Sequence, residues 1–234
     1  MILDNINKIR YRIRSAAERR GLDPEGIGIV AVIKYAEPAQ IRELVEIGLI
    51  GSVGESRVQQ ALAHRKELGP LAGRVQWRMI GHLQTNKAGQ AMELFDSVDS
   101  LDNLRLAQAL DRRAAELGRR SKTLVQVKLT EKETQSGVRP EHLEEFLAAL
   151  SRHAHLEVGG LMAIAPMLES VEDVRPYFRS MKQIFDRFFA GREEAQLSMG
   201  MSRDFELAVE EGATLVRIGT SLFNVQQQPR KGGH

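Results

Sequence analysis

An eightfold alternation constrains this chain more than any other feature: short apolar runs of strand length recur between longer stretches with helical spacing. The runs fall at 29–33, 50–53, 75–80, 95–98, 123–129, 156–164, 196–198 and 214–218. The first is continuously apolar, as expected of a strand buried on both faces. Between the runs, Pro38 suits a first helical turn, Gly48 and Gly118 close helices, Gly69-Pro70 stops another and Pro140 opens one. Leu101, Leu104, Leu110, Ala114 and Leu117 mark the helix after the fourth run. Strands alternating with helices pair in parallel through crossovers, and eight units predict closure rather than an open sheet. A closed barrel of this kind takes ~250 residues, leaving no room for an added catalytic domain, and the chain has 234. The expected fold is α/β: a single-domain (β/α)₈ TIM-type barrel with an N-terminal helix over 1–225, followed by a disordered tail over 226–234.

Composition removes several function classes. The formal net charge is +2, which gives no case for nucleic acid. Arg10, Arg12, Arg14, Arg19 and Arg20 lie opposite Ile2, Ile6, Ile9, Ile13 and Ala17 at helical spacing, and read as the solvated face of an amphipathic helix. They lack the interleaved aromatics of a stacking platform for single strands. The chain has no cysteine, so disulfides and thiolate chemistry are excluded. No segment reaches the ~18 apolar residues of a membrane span, and the N-terminus does not read as a secretory signal. A cytoplasmic location is expected. The histidines show no metal-ligand spacing, and Met162, Met167, Met199 and Met201 read as packing at the barrel mouth.

In a (β/α)₈ barrel the chemistry lies at the C-terminal ends of the strands, with phosphate sites commonly after the seventh and eighth. The first strand ends in Lys34. Partial desolvation there disfavours the ammonium and frees the amine as a nucleophile towards an aldehyde; the plainer reading is a lysine that snorkels from the barrel mouth. After the seventh strand comes Leu197-Ser198-Met199-Gly200-Met201-Ser202, and after the eighth Arg217-Ile218-Gly219-Thr220. Both segments offer glycine, hydroxyls and free backbone N–H groups, the elements of a phosphate cradle. Taken singly, Ser202 would be a helix N-cap and Gly219 a turn residue. Arg217 at a buried strand end needs an acceptor, since its guanidinium only donates. A pyridine nitrogen would serve, and so would an acid such as Glu55.

These residues resemble a known family. Ala31-Val32-Ile33-Lys34, Val53-Gly54-Glu55-Ser56-Arg57-Val58-Gln59 and Trp77-Arg78-Met79-Ile80-Gly81-His82-Leu83-Gln84-Thr85-Asn86-Lys87 are similar to blocks of the pyridoxal phosphate homeostasis proteins. Ser136-Gly137, Gly160-Leu161-Met162 and the two phosphate segments match as well. The resemblance runs from the first helix to about Phe223. It implies an alanine-racemase-type barrel, alike to the N-terminal domain of alanine racemase and to fold type III of the pyridoxal 5′-phosphate (PLP) proteins. It further implies PLP as a Schiff base on Lys34, phosphate bound by Ser202, Gly219 and Thr220, Arg217 facing the pyridine nitrogen, Ser56 near the ring, and His82 and Met162 as pocket walls. Such proteins carry PLP, keep the free cofactor low and support amino- and keto-acid balance; their implied partners are PLP-dependent apo-enzymes. The sequence departs from the family at Ile33, where Ser or Thr is usual, and at Ser56 and Lys128, where Asn is.

Two enzymes compete with a carrier. A PLP-dependent amino-acid racemase needs a second acid–base group opposite Lys34, which alanine racemases draw from an extra domain. Tyr35 is adjacent in sequence, but alternation along a strand would point it away from Lys34. A lysine-dependent aldolase or sugar-phosphate barrel would share the lysine and the phosphate cradle without these sequence blocks. The outer helices carry no extra apolar stripe, so a monomer is expected.

Overall fold

A computed structural model describes residues 1–131 and 135–223; the tail expected at 226–234 lies outside the described residues. After α1 (Ile2–Glu18) the chain alternates strand and helix: β1 (Gly28–Val32), α2 (Pro38–Ile47), β2 (Ser52–Glu55), α3 (Val58–Leu68), β3 (Gln76–Met79) and α4 (Ala88–Leu94). It continues through β4 (Ser97–Leu101), α5 (Leu104–Glu116), β5 (Ser121–Val127), α6 (Leu143–Leu150), β6 (Leu156–Ala163) and α7 (Arg175–Phe189). The last elements are β7 (Gln196–Met201), α8 (Phe205–Glu210), β8 (Leu215–Ile218) and the short α9 (Thr220–Phe223). Neighbouring strands pair in chain order, and β1 closes on β8 in parallel with Gly28 opposite Leu215 and Ala31 opposite Ile218. The structure is therefore the (β/α)₈ barrel that the alternation predicts.

Along each strand, alternate residues divide two environments. Ala31, Val53, Trp77, Val125, Leu161 and Val216 belong to the apolar layer shared with the helices. Burying side chains of Val or Leu size contributes about 1.5–3 kcal/mol each, so this layer holds the barrel together. Trp77 is fully buried, with its indole N–H donated to Ala72 O at 3.0 Å. The other parity includes Arg78, Ser97, Asp99, Gln126, Ser198 and Arg217, all buried and polar. Arg78 forks onto Asp99 at 2.7 and 3.1 Å and reaches Gln196 Oε1 at 2.7 Å, while Ser97 donates to Asp99 at 2.7 Å.

This polar interior explains where strand boundaries depart from expectation. β4 runs to Leu101, a residue that the apolar pattern assigns to the following helix, because the fully buried Asp99 and Ser100 interrupt the apolar run. β7 is six residues long and reaches Met201 rather than stopping at Ser198. Its pairing with β8 shifts register between Ser198 and Met201. Gly200 makes that irregularity possible: it sits at φ +87°, and a Cβ there would lie 2.5 Å from the Ala208 Cβ. A glycine that reads as loop is a bulge in a strand, where the missing side chain lets α8 close onto β7.

The apolar face of α1 docks on the barrel, and exposed or half-exposed arginines at its edges reach back to neighbouring elements. Arg12 forks onto Glu206 at 3.1 and 2.6 Å and lies 4.6 Å from the Phe205 ring centroid. Arg19 pairs with Glu210 at 2.7 Å, Arg14 with Glu25 at 3.2 Å, and Arg10 donates to Leu49 O at 2.7 Å. Among the described residues, no helix is long and apolar enough to cross a membrane.

Candidate functional site

A cleft of about 340 Å³ opens at the C-terminal ends of β1, β7 and β8. Lys34, Ser202, Arg217, Gly219 and Thr220 all line it, together with Tyr35, Asp204 and Ser221. Five residues singled out in the sequence thus come together across nearly 190 positions of chain. The segment after β6 supplies an apolar wall through Pro166, Met167 and Leu168.

β1 ends at Val32, so Lys34 and Tyr35 sit on a turn rather than on the strand. Strand alternation therefore does not govern them, and the expectation that Tyr35 points away from Lys34 is wrong. The Tyr35 ring centroid lies 4.9 Å from Lys34 Nζ, and both side chains line the cleft. Lys34 is half-buried, and no carboxylate pairs with it among the described residues. Ile33, where the family has a hydroxyl, is fully buried in the apolar layer, so the substitution packs against the helices and leaves the cleft untouched.

Ser202 does not cap α8, whose N-cap is Asp204. Its hydroxyl instead accepts from the backbone N–H groups of Gly219 at 3.1 Å and Ser221 at 3.4 Å, stitching the loop after β7 to the loop after β8. Asp204 shapes the first of these loops by accepting from Met201 N at 2.6 Å. Burial pushes its carboxyl above the usual range, against the pull of the Met201 hydrogen bond and the charges of Arg217 and Arg203.

Arg217 is fully buried but for the cleft, and its partners are neutral: it donates to Ser198 Oγ and to Ala163 O, each at 2.7 Å. Burial lowers its guanidinium to about 10, against the supporting fields of Asp99 and Asp204; it stays protonated at neutral pH. Asp99 is committed to Arg78. Glu55, the alternative partner read from the sequence, lies elsewhere: its Oε1 is 3.1 Å from His64 Nδ1 on α3, out of line for a hydrogen bond. Among the described residues, Arg217 is thus a buried cation with no carboxylate in contact, a costly arrangement unless a ligand supplies an acceptor.

Ser56, His82 and Met162 do not line this cleft. Met162 is fully buried beside Ser198 in the β6–β7 register. His82 is half-exposed, with Nδ1 3.3 Å from Ser136 Oγ and 3.7 Å from Asp102. Ser56 backs onto Gly81, where a Cβ would meet Ser56 O at 2.4 Å, so glycine is required for that close approach. The sequence reading missed Asp204 and Ser221. The acid two residues after Ser202 was a usable signal for Asp204; Ser221 had none beyond its neighbour Thr220.

The donor set fits a phosphorylated aldehyde: one amine, three hydroxyls and the backbone N–H groups of two loops, beside a buried guanidinium that wants an acceptor. A model of the alanine racemase N-terminal domain matches residues 5–227. The pyridoxal phosphate homeostasis protein of Aquifex aeolicus is 39% identical over 222 residues, covering 94% of this chain and 96% of its own. PipY of Synechococcus elongatus, solved with PLP bound, superposes with a TM-score of 0.77 at 38% identity, over 91% of this chain and 99% of its own. An alanine racemase of Clostridium difficile shares the fold, with a TM-score of 0.74 at 15% identity, over 97% of this chain and 57% of its own. With a matching barrel, a matching family model and close relatives over nearly its whole length, the chain belongs to the pyridoxal phosphate homeostasis proteins, within the alanine racemase N-terminal domain family.

Proposed function

We propose that this chain holds PLP as a Schiff base on Lys34, buffers or delivers the cofactor in the cytoplasm, and so supports amino-acid and keto-acid balance without turnover of its own. One observation carries the reading: Lys34 shares a cleft with Ser202, Gly219 and Thr220, so an aldehyde-reactive amine faces a set of oxyanion donors. Bound there, the cofactor supplies an aldehyde for the amine and an electron-withdrawing aromatic ring. Ser202 and Thr220 give hydroxyls to its phosphate, and Gly219 gives its backbone N–H once that group leaves the Ser202 hydroxyl. Arg217, held by Ser198 and Ala163, donates to the pyridine nitrogen; a donor there keeps that nitrogen unprotonated and the ring a weak electron sink, which suits storage better than catalysis. Met162, fully buried beside Ser198, supports the pocket from within the barrel, and Ser56 and His82 stand at the ends of the neighbouring strands, outside the cleft. The chain acts as a monomer that passes PLP to apo-enzymes.

The racemase reading gains Tyr35 as a second titratable group in the cleft, but its ring lies against Lys34 itself. Two-base racemization needs an acid–base group on the far side of the substrate. Borohydride reduction of the PLP-loaded protein followed by peptide mapping tests the assignment. The label is expected on Lys34, and Lys34→Ala is expected to lose the visible absorption band while keeping its fold, because the half-buried side chain contributes little packing. A reducible adduct at another lysine overturns the assignment. Exchange of the α-hydrogen of added alanine at rates on the order of 1 s⁻¹ overturns the carrier reading.

A further inference from the structure

An anion cradle with a carboxylate in its wall poses an electrostatic problem, because like charges repel strongly where water is excluded. Asp204 is the only acidic residue lining the cleft among the described residues. It is 8% exposed. The cations facing it do not need it as a contact partner. Arg217 is bonded to Ser198 and Ala163 O, Arg203 from its own loop reaches Glu169 O at 2.5 Å, and Lys34 lies against the Tyr35 ring. One carboxylate oxygen of Asp204 takes the Met201 N–H; the other receives no hydrogen bond from the described residues. Asp204 lines the cleft, so this second oxygen is open to a ligand that brings a proton.

Given the cleft as a phosphate cradle, we infer that Asp204 accepts a hydrogen bond from a protonated phosphate oxygen, so that the site selects singly protonated phosphate monoesters over proton-free oxyanions such as sulfate. The hydroxyls and N–H groups of the two loops recognise any tetrahedral oxyanion, and only Asp204 asks whether that anion can donate. The preference holds where two conditions overlap: Asp204 is ionised and the phosphate keeps one proton. A monoester loses that proton at about pH 6, so the preference fades as pH rises past this value. Burial and the fields of Arg203 and Arg217 act on the carboxylate in opposite directions, and the preference also fades at low pH, where Asp204 is protonated.

Competition against bound PLP, with methyl phosphate and sulfate as probes, tests this at about pH 5.5 and about pH 8, on either side of the monoester's second ionisation. In the unmodified protein, methyl phosphate should outcompete sulfate at the lower pH by roughly ten- to a hundredfold, the span of a hydrogen bond to a charged group. At the higher pH both probes are dianions, and the ratio should fall towards one. Asp204→Asn keeps an acceptor for Met201 N and removes the charge. It should gain affinity for sulfate and lose the preference at the lower pH, and its sulfate binding reports an intact cradle. A ratio near one in the unmodified protein at the lower pH overturns the inference, a result that needs no variant. So does a preference that survives Asp204→Asn, or one in which both anions tighten equally, which is charge repulsion alone. If neither anion competes with PLP in the unmodified protein, the phosphate cradle itself is misplaced, and that failure is distinct from the others.

Discussion

Gly200→Ala is expected to cost far more than an ordinary glycine-to-alanine change. Two contributions separate cleanly. Gly200 sits at φ +87°, and a non-glycine residue held in the left-handed region costs roughly 1–2 kcal/mol. The new methyl group would also stand 2.5 Å from the Ala208 Cβ and 3.0 Å from the Phe205 Cα, both on α8. Neither can swing aside as a side-chain tip would, so β7 and α8 must part. Overpacking of this kind typically costs a further 1–3 kcal/mol, roughly 2–5 kcal/mol in all. In a chain of this size each kcal/mol moves the melting temperature by about 2–4 °C, so a fall of roughly 4–20 °C is expected. Gly191→Ala supplies the control: its φ is +75°, but nothing lies within 4 Å of the added Cβ, so only the backbone contribution remains. Thermal unfolding of both variants, followed by circular dichroism, makes the comparison. Displacement of α8 should also shrink the stabilisation that PLP gives, because Asp204 and Ser202 hang on the same turn. Equal melting temperatures for the two variants would refute the argument that the β7 bulge exists to seat α8.

Arg12→Ala should lower stability by about 1 kcal/mol, the sum of a half-exposed forked ion pair and a cation–π contact, as read from urea midpoints. It should leave PLP binding unchanged; a loss of nucleic-acid affinity instead would revive the reading of α1 as a basic binding face. Burial pushes the Glu211 carboxyl up, but hydrogen bonds from Arg179 and Arg175 outweigh it and hold it below the usual range. A carboxyl depressed in the folded state contributes stability above its unfolded pKa, about 4.5, and loses it as pH falls through the folded value. Glu211→Gln should therefore destabilise the protein at neutral pH, and its gap from the unmodified protein should close on acidification to about pH 3. A gap that stays constant with pH would show that the cluster contributes packing rather than charge.

The barrel was legible because apolar runs of strand length recur on one side of every strand, and the helix layer that they face is continuous. Trp77, Val125 and Val216 were as informative in the sequence as in the structure. Boundaries failed where the other side of the strand mattered. A barrel interior filled by Arg78, Asp99, Ser198 and Arg217 breaks the apolar run from inside, so a reader of hydrophobicity ends β4 too early, and the Gly200 bulge hides the end of β7. Barrel interiors dominated by branched apolar residues would not mislead in this way. Polar pairing inside a closed sheet is a three-dimensional arrangement: Arg78 meets Gln196 across 118 positions, and no local pattern announces it.

The site divides along the same line. Lys34, Arg217 and Gly219 could be placed because barrel topology puts strand ends on one face, and their position followed from counting strands. The roles of Ser202 and Tyr35 could not, because each depends on a local geometry that the sequence leaves open. A serine before a helix has an N–H of its own helix within reach, and capping is the default. Here Asp204 takes the cap position and the serine is released to bind the loop after β8. Tyr35 was misplaced by two residues of strand length: had β1 continued through Lys34, alternation would have sent the ring to the helix layer. Ending the strand at Val32 turns two consecutive residues into one cleft wall. Chemistry in this fold is therefore set by where each strand stops, and the stopping point is fixed by the turn that follows it more than by the strand itself.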